Sequence, residues 1–117
     1  MMASLHNIDE GLTGAAPTAP PAWANVHLTT LNGGTVVHSG GGELSGGWHS
    51  QDSDEMLIVL SGACTVHTDD GPVRAGAGEV VCIAAGEAHR IETAVGTRLV
   101  AVEAVDAQRT SLNRDAE

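Results

Sequence analysis

The sequence predicts an all-β protein with a single domain, folded as a sandwich or a small barrel. From Val26 onward, short runs rich in β-branched residues recur between clusters of Gly, Asn, Asp and Pro, which is the pattern of strands joined by turns. No segment shows sustained helical periodicity except the polar tail after Asp106. A chain of 117 residues is long enough to bury one core and too short for two.

Each apolar run predicts one strand, and the segments between the runs predict turns. Asn32-Gly33-Gly34 and Asp69-Asp70-Gly71-Pro72 are strong hairpin candidates because Asn, Asp and Gly tolerate a positive φ. Gly40-Gly41-Gly42 and Gly46-Gly47 leave the backbone free to bend sharply or to approach a ligand closely. The predicted strands are 26–31, 35–38, 43–44, 56–60, 63–68, 73–75, 79–83, 89–93 and 97–105.

The ends of the chain are predicted to lie outside the β domain, which spans residues 25–106. Residues 1–24 form an Ala- and Pro-rich leader whose prolines disfavour helix, so we expect an extended arm that is either flexible or packed on a partner subunit. Residues 107–117 form a polar C-terminal tail. Residues 1–14 lack the charged and apolar regions of a signal peptide, and no transmembrane helix is present, so we expect a cytoplasmic protein.

Charge and missing residue types exclude several classes of function. The formal net charge is -10 and the basic residues are five arginines, which argues against nucleic acid or an anionic membrane as a partner. The absence of Lys, Tyr and Phe excludes Schiff-base lysine catalysis, tyrosine acid-base chemistry and most aromatic stacking platforms. Cys64 and Cys82 lie in separate apolar segments without CxxC spacing, so we expect two reduced, buried thiols.

The residues best suited to chemistry lie in two short segments. His49 and Gln51 are two positions apart, so on a strand their side chains point to the same face, and Glu55 follows after a short polar loop. His89 lies downstream, after a turn at Gly86. Two imidazoles, a carboxylate and an amide suit Zn, Mn, Fe, Ni or Co better than Ca or Mg alone. These four side chains therefore predict a divalent transition-metal site, whereas the other histidines are expected to be structural or exposed.

The segment around His49 resembles the first motif of the cupin superfamily, in particular of its small single-domain bacterial members. That motif runs Gly, five residues, His-x-His, three or four residues, Glu, six residues, Gly, and His49, Gln51, Glu55 and Gly62 fall on it. The resemblance implies a jelly-roll β-barrel or sandwich with a metal held inside.

The second cupin motif runs Gly, five residues, Pro-x-Gly, two residues, His, three residues, Asn, and Gly78, Gly86 and His89 match it. Gln51 replaces the second His of the first motif and is the departure that touches the metal site. An amide oxygen is a weaker ligand than imidazole, so Gln51 either binds the metal with reduced affinity or withdraws and hydrogen-bonds a bound water. The other departures are Glu43 for the leading Gly, Ala84 for Pro and Thr93 for Asn.

The resemblance implies a metal-dependent enzyme acting on a small oxygen-bearing substrate, with Glu55 as the catalytic residue. If His49, Glu55 and His89 alone hold iron, they form the two-His, one-carboxylate arrangement of a dioxygenase. With Zn or Mn, Lewis-acid chemistry of an isomerase or lyase acting on sugars or carboxylates is implied, with Glu55 or a bound water moving protons. The alternative, from a different class, is a non-catalytic domain that binds or senses a small ligand.

Two further expectations concern the cavity and the assembly. Because Trp23 and Trp48 are the only aromatic residues, aliphatic side chains must fill the barrel, which predicts a roomy, aliphatic-walled pocket. Family habit and the exposed edges of a small barrel predict a homodimer, with the N-terminal arm crossing to the partner's sheet.

Overall fold

The computed structural model describes residues 3–14 and 23–114, which form two antiparallel sheets preceded by one short helix. The elements are α1 (Ile8–Gly14), β1 (Trp23–Leu31), β2 (Thr35–Gly42), β3 (Leu44–Ser45), β4 (His49–Gln51), β5 (Glu55–Ser61), β6 (Ala63–Thr68), β7 (Gly71–Gly76), β8 (Val80–Ile83), β9 (His89–Thr93), β10 (Arg98–Ala104) and β11 (Arg109–Ser111). Every predicted strand overlaps an observed one, and the all-β fold class is confirmed.

The first sheet has the strand order β1-β2-β10-β5-β8, and the second has the order β11-β4-β9-β6-β7 with β3 also paired to β9. Several neighbours in the sheets are distant in the sequence, since β10 lies between β2 and β5. This crossing of the chain between two facing antiparallel sheets is the jelly-roll arrangement. The metal-ligand candidates are thereby divided, with β5 in the first sheet and β4 and β9 in the second.

The hydrophobic core lies between the two sheets and is built from alternate residues of each strand. In β5 the buried positions are Glu55, Leu57 and Val59, so one face of the strand points inward. The second sheet contributes Cys64 and Val66 from β6 to the same cluster. Glu55 is therefore the first inward position of a strand that is otherwise apolar on that face.

Both predicted hairpins are present. Asn32 and Gly33 have φ values of 53° and 67°, the positive pair of a type I′ turn, which the Gly34 amide closes by donating to the Leu31 carbonyl over 3.0 Å. At the other hairpin, Thr68 and Gly71 are directly opposite each other, and the Thr68 hydroxyl donates to the Gly71 carbonyl over 2.8 Å. These turns set the register of β1 with β2 and of β6 with β7.

The helix α1 contradicts the prediction that the chain has no helix ahead of its tail. Asn7 caps it, because its Oδ1 accepts hydrogen bonds from the amides of Asp9 and Glu10, both over 2.9 Å. Asp9 in turn accepts two hydrogen bonds from the Arg98 guanidinium, at 2.6 and 2.8 Å. The first part of the leader thus packs on its own sheet, while the proline-rich segment predicted to be extended, residues 15–22, lies outside the described residues.

The glycines of β2 accommodate the N-terminal segment instead of opening the backbone to a ligand. A Cβ on Gly40 would lie 2.5 Å from the Trp23 ring, and one on Gly41 would lie 3.1 Å from the Leu12 side chain. Bulky side chains of the N-terminal segment therefore press against both faces of β2 where it has no side chains of its own.

The predicted polar tail contains strand β11 rather than a helix within residues 107–114. Arg109 lies opposite Gln51 and Ser111 opposite His49, and the Leu112 amide donates to the Trp48 carbonyl over 2.9 Å. This short strand covers the edge of β4, the strand that carries two of the predicted ligands.

Candidate functional site

The two predicted histidine ligands are neighbours. His49 in β4 and His89 in β9 are directly opposite each other in the sheet, with ring centroids 4.3 Å apart and ring planes inclined by 56°. His49 is 4% exposed and His89 is 1% exposed. Two side chains separated by forty positions in the sequence thus meet inside the protein.

Both imidazoles are oriented by a backbone carbonyl two residues upstream. His49 Nδ1 donates to the Gly47 carbonyl over 3.0 Å, and His89 Nδ1 donates to the Glu87 carbonyl over 2.8 Å. A carbonyl can only accept, so Nδ1 carries the proton in the neutral ring and Nε2 is left with a free lone pair. An Nδ1 proton held by a carbonyl is the usual arrangement of a histidine that binds a metal through Nε2.

Burial keeps His49 in the form that binds metals. Desolvation is the main cause that lowers its pKa, against the opposing hydrogen bond to Gly47, and the neighbouring His89 and Arg109 lower it further. The imidazole is therefore neutral near pH 7, which is the state required of a metal ligand.

Three of the four predicted ligands carry a buried polar atom without a hydrogen-bond partner. These atoms are Gln51 Oε1, Glu55 Oε1 and His89 Nε2. Buried polar atoms are almost always paired, so lone pairs left unpaired on three different strands are available to a cation or a water. All three atoms are electron-pair donors, and this fits a cation.

The carboxyl group of Glu55 interacts with Glu103 in this structure. Glu55 lies opposite Glu103 of β10, and the two carboxyl groups share a hydrogen bond when one of them is protonated. Within residues 3–14 and 23–114, no three His, Cys, Asp or Glu side chains are grouped closely enough to hold a metal ion. The structure thus places His49, Gln51 and Glu55 in the lining of one cavity, with His89 beside His49, but not as a closed three-ligand cluster.

The proximity of two carboxyl groups in a buried position alters the acidity of Glu55. Desolvation, followed by repulsion from Glu103 and by their hydrogen bond, raises the pKa of Glu55 to about 7, against a smaller opposing effect of Arg109. Near neutral pH the Glu55 carboxyl is therefore close to half protonated and suited to accept or return a proton.

A cavity of about 470 Å³ is lined by His49, Gln51 and Glu55. The cavity is lined by both apolar and polar side chains, so the prediction of an aliphatic wall agrees with only part of the lining. Trp23 reaches this space from the end of the leader, whereas Trp48 lies under the Arg114 guanidinium at 4.5 Å. The lining residues include the apolar Trp23, Leu44, Leu57, Ile91, Leu99 and Ala101 and the polar Asn25, His49, Gln51, Glu55, Glu103 and Arg109.

Sequence reasoning missed two charged residues of this cavity, Glu103 and Arg109. A signal existed for Glu103, because the inward positions of the predicted last strand alternate as Leu99, Ala101 and Glu103, which places an acid on a core face. For Arg109 there was none, since a three-residue strand in a polar tail has no recognisable pattern.

The remaining motif residues determine the backbone conformation or form hydrogen bonds with backbone groups. Gly62, Gly78 and Gly86 have φ values of 79°, 85° and 80°, which explains why glycine stands at each of them. Thr93, in place of the family's Asn, donates to the Gly42 carbonyl and accepts from the Leu44 amide, both over 2.8 Å. The departure from Asn thus still provides a side chain that ties β9 to the start of β3.

The prediction of two buried thiols holds for one of them. Cys64 is buried in the core and Cys82 is exposed, because Cys82 lies on the outer side of β8, between two inward residues.

Residues 35–105 match the sequence model of the Cupin domain family. The chain is a cupin. Among solved structures, this cupin is similar to an uncharacterised conserved protein with a double-stranded β-helix domain from Klebsiella pneumoniae, with 15% identity over 97% of this chain and 100% of that chain and a TM-score of 0.74. It is also similar to a protein of unknown function from Rhizobium leguminosarum, with 25% identity over 89% of this chain and 97% of that one and a TM-score of 0.70.

An enzyme is also among the structures similar to this cupin. Salicylate 1,2-dioxygenase from Pseudoaminobacter salicylatoxidans, in complex with gentisate, matches with a TM-score of 0.70 and 9% identity over 92% of this chain but 33% of that chain. At such identity the likeness shows the fold alone. No curated protein matches the sequence. Throughout the described ranges, the cupin has no helix with the length and apolar character needed to cross a membrane.

Proposed function

We propose that this cupin binds a divalent transition metal through His49, Gln51, Glu55 and His89 and acts as an enzyme on a small molecule with oxygen donor atoms. The observation that carries the proposal is the set of buried, unpaired donor atoms of Gln51, Glu55 and His89, next to a second imidazole whose ring centroid is 4.3 Å from that of His89. A cation would satisfy all of these lone pairs at once.

The side chains would divide the work between binding and proton transfer. His49 and His89 would supply Nε2 lone pairs from rings held by backbone carbonyls. Glu55, with its pKa raised to about 7, would turn from Glu103 toward the metal or move a proton to or from the substrate. When bound, the metal would supply either Lewis-acid polarisation of a substrate oxygen or, if it is iron, the oxygen chemistry of a dioxygenase.

Metal content tests the proposal. Wild-type protein purified without chelators is expected to hold about one metal ion per chain, measured by inductively coupled plasma mass spectrometry, and His89→Ala is expected to lose it. His67→Ala is the control, because His67 pairs with Glu92 over 3.1 Å and lies on the face of β6 opposite to the buried Val66. Circular dichroism confirms that each variant is folded.

The role of Gln51 has a separate test. Gln51→His supplies the imidazole of the family motif and is expected to raise metal affinity, whereas Gln51→Ala is expected to lower it by about ten-fold or more. Anomalous scattering from crystals would identify the ion. A folded wild-type protein that takes up no Zn, Mn, Fe, Ni or Co would contradict the metal site.

A non-catalytic binding or sensing function is the second candidate. It is favoured by the neutral Gln51 and by the lack, within the described ranges, of a closed cluster of three His, Cys, Asp or Glu ligands. Metal-free protein whose His49→Ala variant keeps its melting temperature and ligand affinity would support it. Oxygen uptake after iron loading, or turnover with Zn or Mn and a carbonyl substrate, would support the enzyme.

Assembly and location stay predictions. The homodimer with a crossing N-terminal arm predicts that light scattering on a variant lacking residues 1–22 reports a smaller assembly than the full chain does. The formal net charge of -10 supports the proposal that the protein does not bind nucleic acid, and its cytoplasmic location stays an expectation.

A further inference from the structure

One cationic side chain faces the candidate metal cavity. Arg109 begins β11 and lies directly opposite Gln51, and directly opposed residues of antiparallel strands point to the same face. Its side chain lines the cavity together with Gln51, Glu55 and Glu103. Arg109 is exposed, so a ligand can reach it from solvent.

The backbone next to Arg109 is held in place. The Asp52 amide donates to the Gln108 carbonyl over 3.2 Å, and the Gln108 amide donates to Asp52 Oδ1 over 2.7 Å. These reciprocal bonds connect the start of β11 to the end of β4. The position of Arg109 relative to the ligands of β4 is therefore determined by the fold and not by a free tail.

The guanidinium of Arg109 has no hydrogen-bond or ion-pair partner within residues 3–14 and 23–114. By contrast, Arg98 is held by Asp9 at 2.6 Å and Arg114 by Asp69 at 2.7 Å. Arg109 nevertheless acts electrostatically on the site, since it lowers the pKa of both His49 and Glu55. A planar guanidinium with unused donors beside a metal site is suited to a carboxylate, which it can bind through two parallel hydrogen bonds.

The net charge of the side chains that line the cavity favours a monoanion over a dianion as the ligand. Glu55, Glu103 and Arg109 are its charged lining residues, and with both acids ionised they leave one net negative charge, which a divalent cation would convert to one net positive charge. A monoanion then neutralises the site, whereas a dianion leaves it negative beside two carboxylates. Without the cation, even a monoanion adds to a negative charge.

We infer that the cavity takes a small carboxylic acid with a second oxygen donor next to the carboxylate, and that Arg109 is the residue that recognises the carboxylate. The inference rests on the proposed metal site and specifies its substrate class. Arg109 acts in substrate selection and is not a metal ligand.

Calorimetric titration of Mn²⁺-loaded protein with three acids and their neutral amides tests the inference. The probes are glycolate, pyruvate and mandelate against glycolamide, pyruvamide and mandelamide. Wild-type protein is expected to prefer at least one acid over its amide. Arg109→Gln is expected to weaken binding of that acid by about ten- to a hundred-fold while leaving its amide unchanged, and Arg109→Lys is expected to restore part of the loss. Arg74→Gln removes the same charge from an exposed position of β7 and is expected to have no effect.

The metal content of each variant separates the two proposals. Arg109→Gln is expected to hold as much Mn²⁺ as wild type, so weaker acid binding cannot be due to a lost metal. If wild type takes up Zn, Fe, Ni or Co in place of Mn²⁺, the titrations use that metal. If it takes up none of the five, the metal site fails and the inference fails with it, because a monoanion is not neutralised without the cation. The inference is overturned if no acid is preferred over its amide, or if Arg109→Gln binds acids as wild type does or loses acids and amides alike.

Discussion

Replacing Glu55 by Gln is expected to stabilise the metal-free protein at neutral and alkaline pH and to leave it unchanged in acid. Glu55 is 9% exposed and lies against the Glu103 carboxyl, so ionising it places a second negative charge in a poorly solvated position. Gln has nearly the same shape, carries no charge and can donate a hydrogen bond to the Glu103 carboxylate.

The size of the effect follows from the raised pKa of Glu55. Its value rises from the ordinary 4.5 to about 7. Between these two pH values the unfolded chain has released the proton while the folded protein keeps it, so the free energy of unfolding falls as the pH increases. Across the whole window the loss is about 3 kcal/mol. It is absent below pH 4.5 and complete above pH 7.

Urea denaturation of chelator-treated wild type and Glu55→Gln, followed by circular dichroism at a series of pH values from acid to alkaline, measures the difference directly. Titrating groups that do not interact with Glu55 or Glu103 affect both proteins equally and cancel in the comparison. Asp70→Asn, which removes one charge from an exposed turn, is the control and is expected to show no comparable dependence.

The expected result is a gain in stability for Glu55→Gln that grows from near zero to about 3 kcal/mol as the pH increases. A difference that stays constant with pH, or a wild type that is the more stable protein in alkali, would refute the buried acid pair. Adding Mn²⁺ should reverse the order, because the proposed metal would bind and stabilise the ionised Glu55 of the wild type.

Two further outcomes concern the backbone and the thiols. Gly62→Ala is expected to lower the free energy of unfolding by about 2–4 kcal/mol in urea denaturation, because a Cβ would lie 2.5 Å from the Thr97 Cα at a φ of 79°. Gly78→Ala is the control and should cost only about 1–2 kcal/mol, because its φ is 85° but no atom lies within 4 Å. Equal losses in the two variants would argue against the contact with Thr97. Iodoacetamide should modify Cys82 in the native protein and reach Cys64 only after denaturation, because Cys64 is buried with its pKa raised to about 11; mass spectrometry showing rapid labelling of both would contradict this core.

Much of the fold was predictable because it depends on local rules. Alternation placed the strands, and the residues that tolerate positive φ placed the turns at Asn32-Gly33 and Asp69-Asp70. The helix α1 was missed although Asn7 followed by Glu10 is a capping signal, because a helix of 7 residues is too short to show a hydrophobic period.

The candidate site was predictable only where it depends on the spacing of residues along the sequence. His49 and Gln51 share a face by the two-residue period of a strand, and the motif spacing selected Glu55 and His89. That the two imidazoles meet with ring centroids 4.3 Å apart was an expectation from the family resemblance, since no local rule relates β4 to β9.

The sequence by itself determined the all-β class and the order of the strands and turns, because each depends on neighbours within a few positions. The four side chains proposed as metal ligands came from the strand period together with the family motif. Only the tertiary structure decided that Glu103 lies against Glu55 and that Arg109 faces the same cavity. Both depend on register between strands far apart in the chain, and a shift of one residue in either pairing would turn those side chains to the opposite face. The acidity of Glu55 and the charge available to a ligand are therefore properties of the assembled sheets.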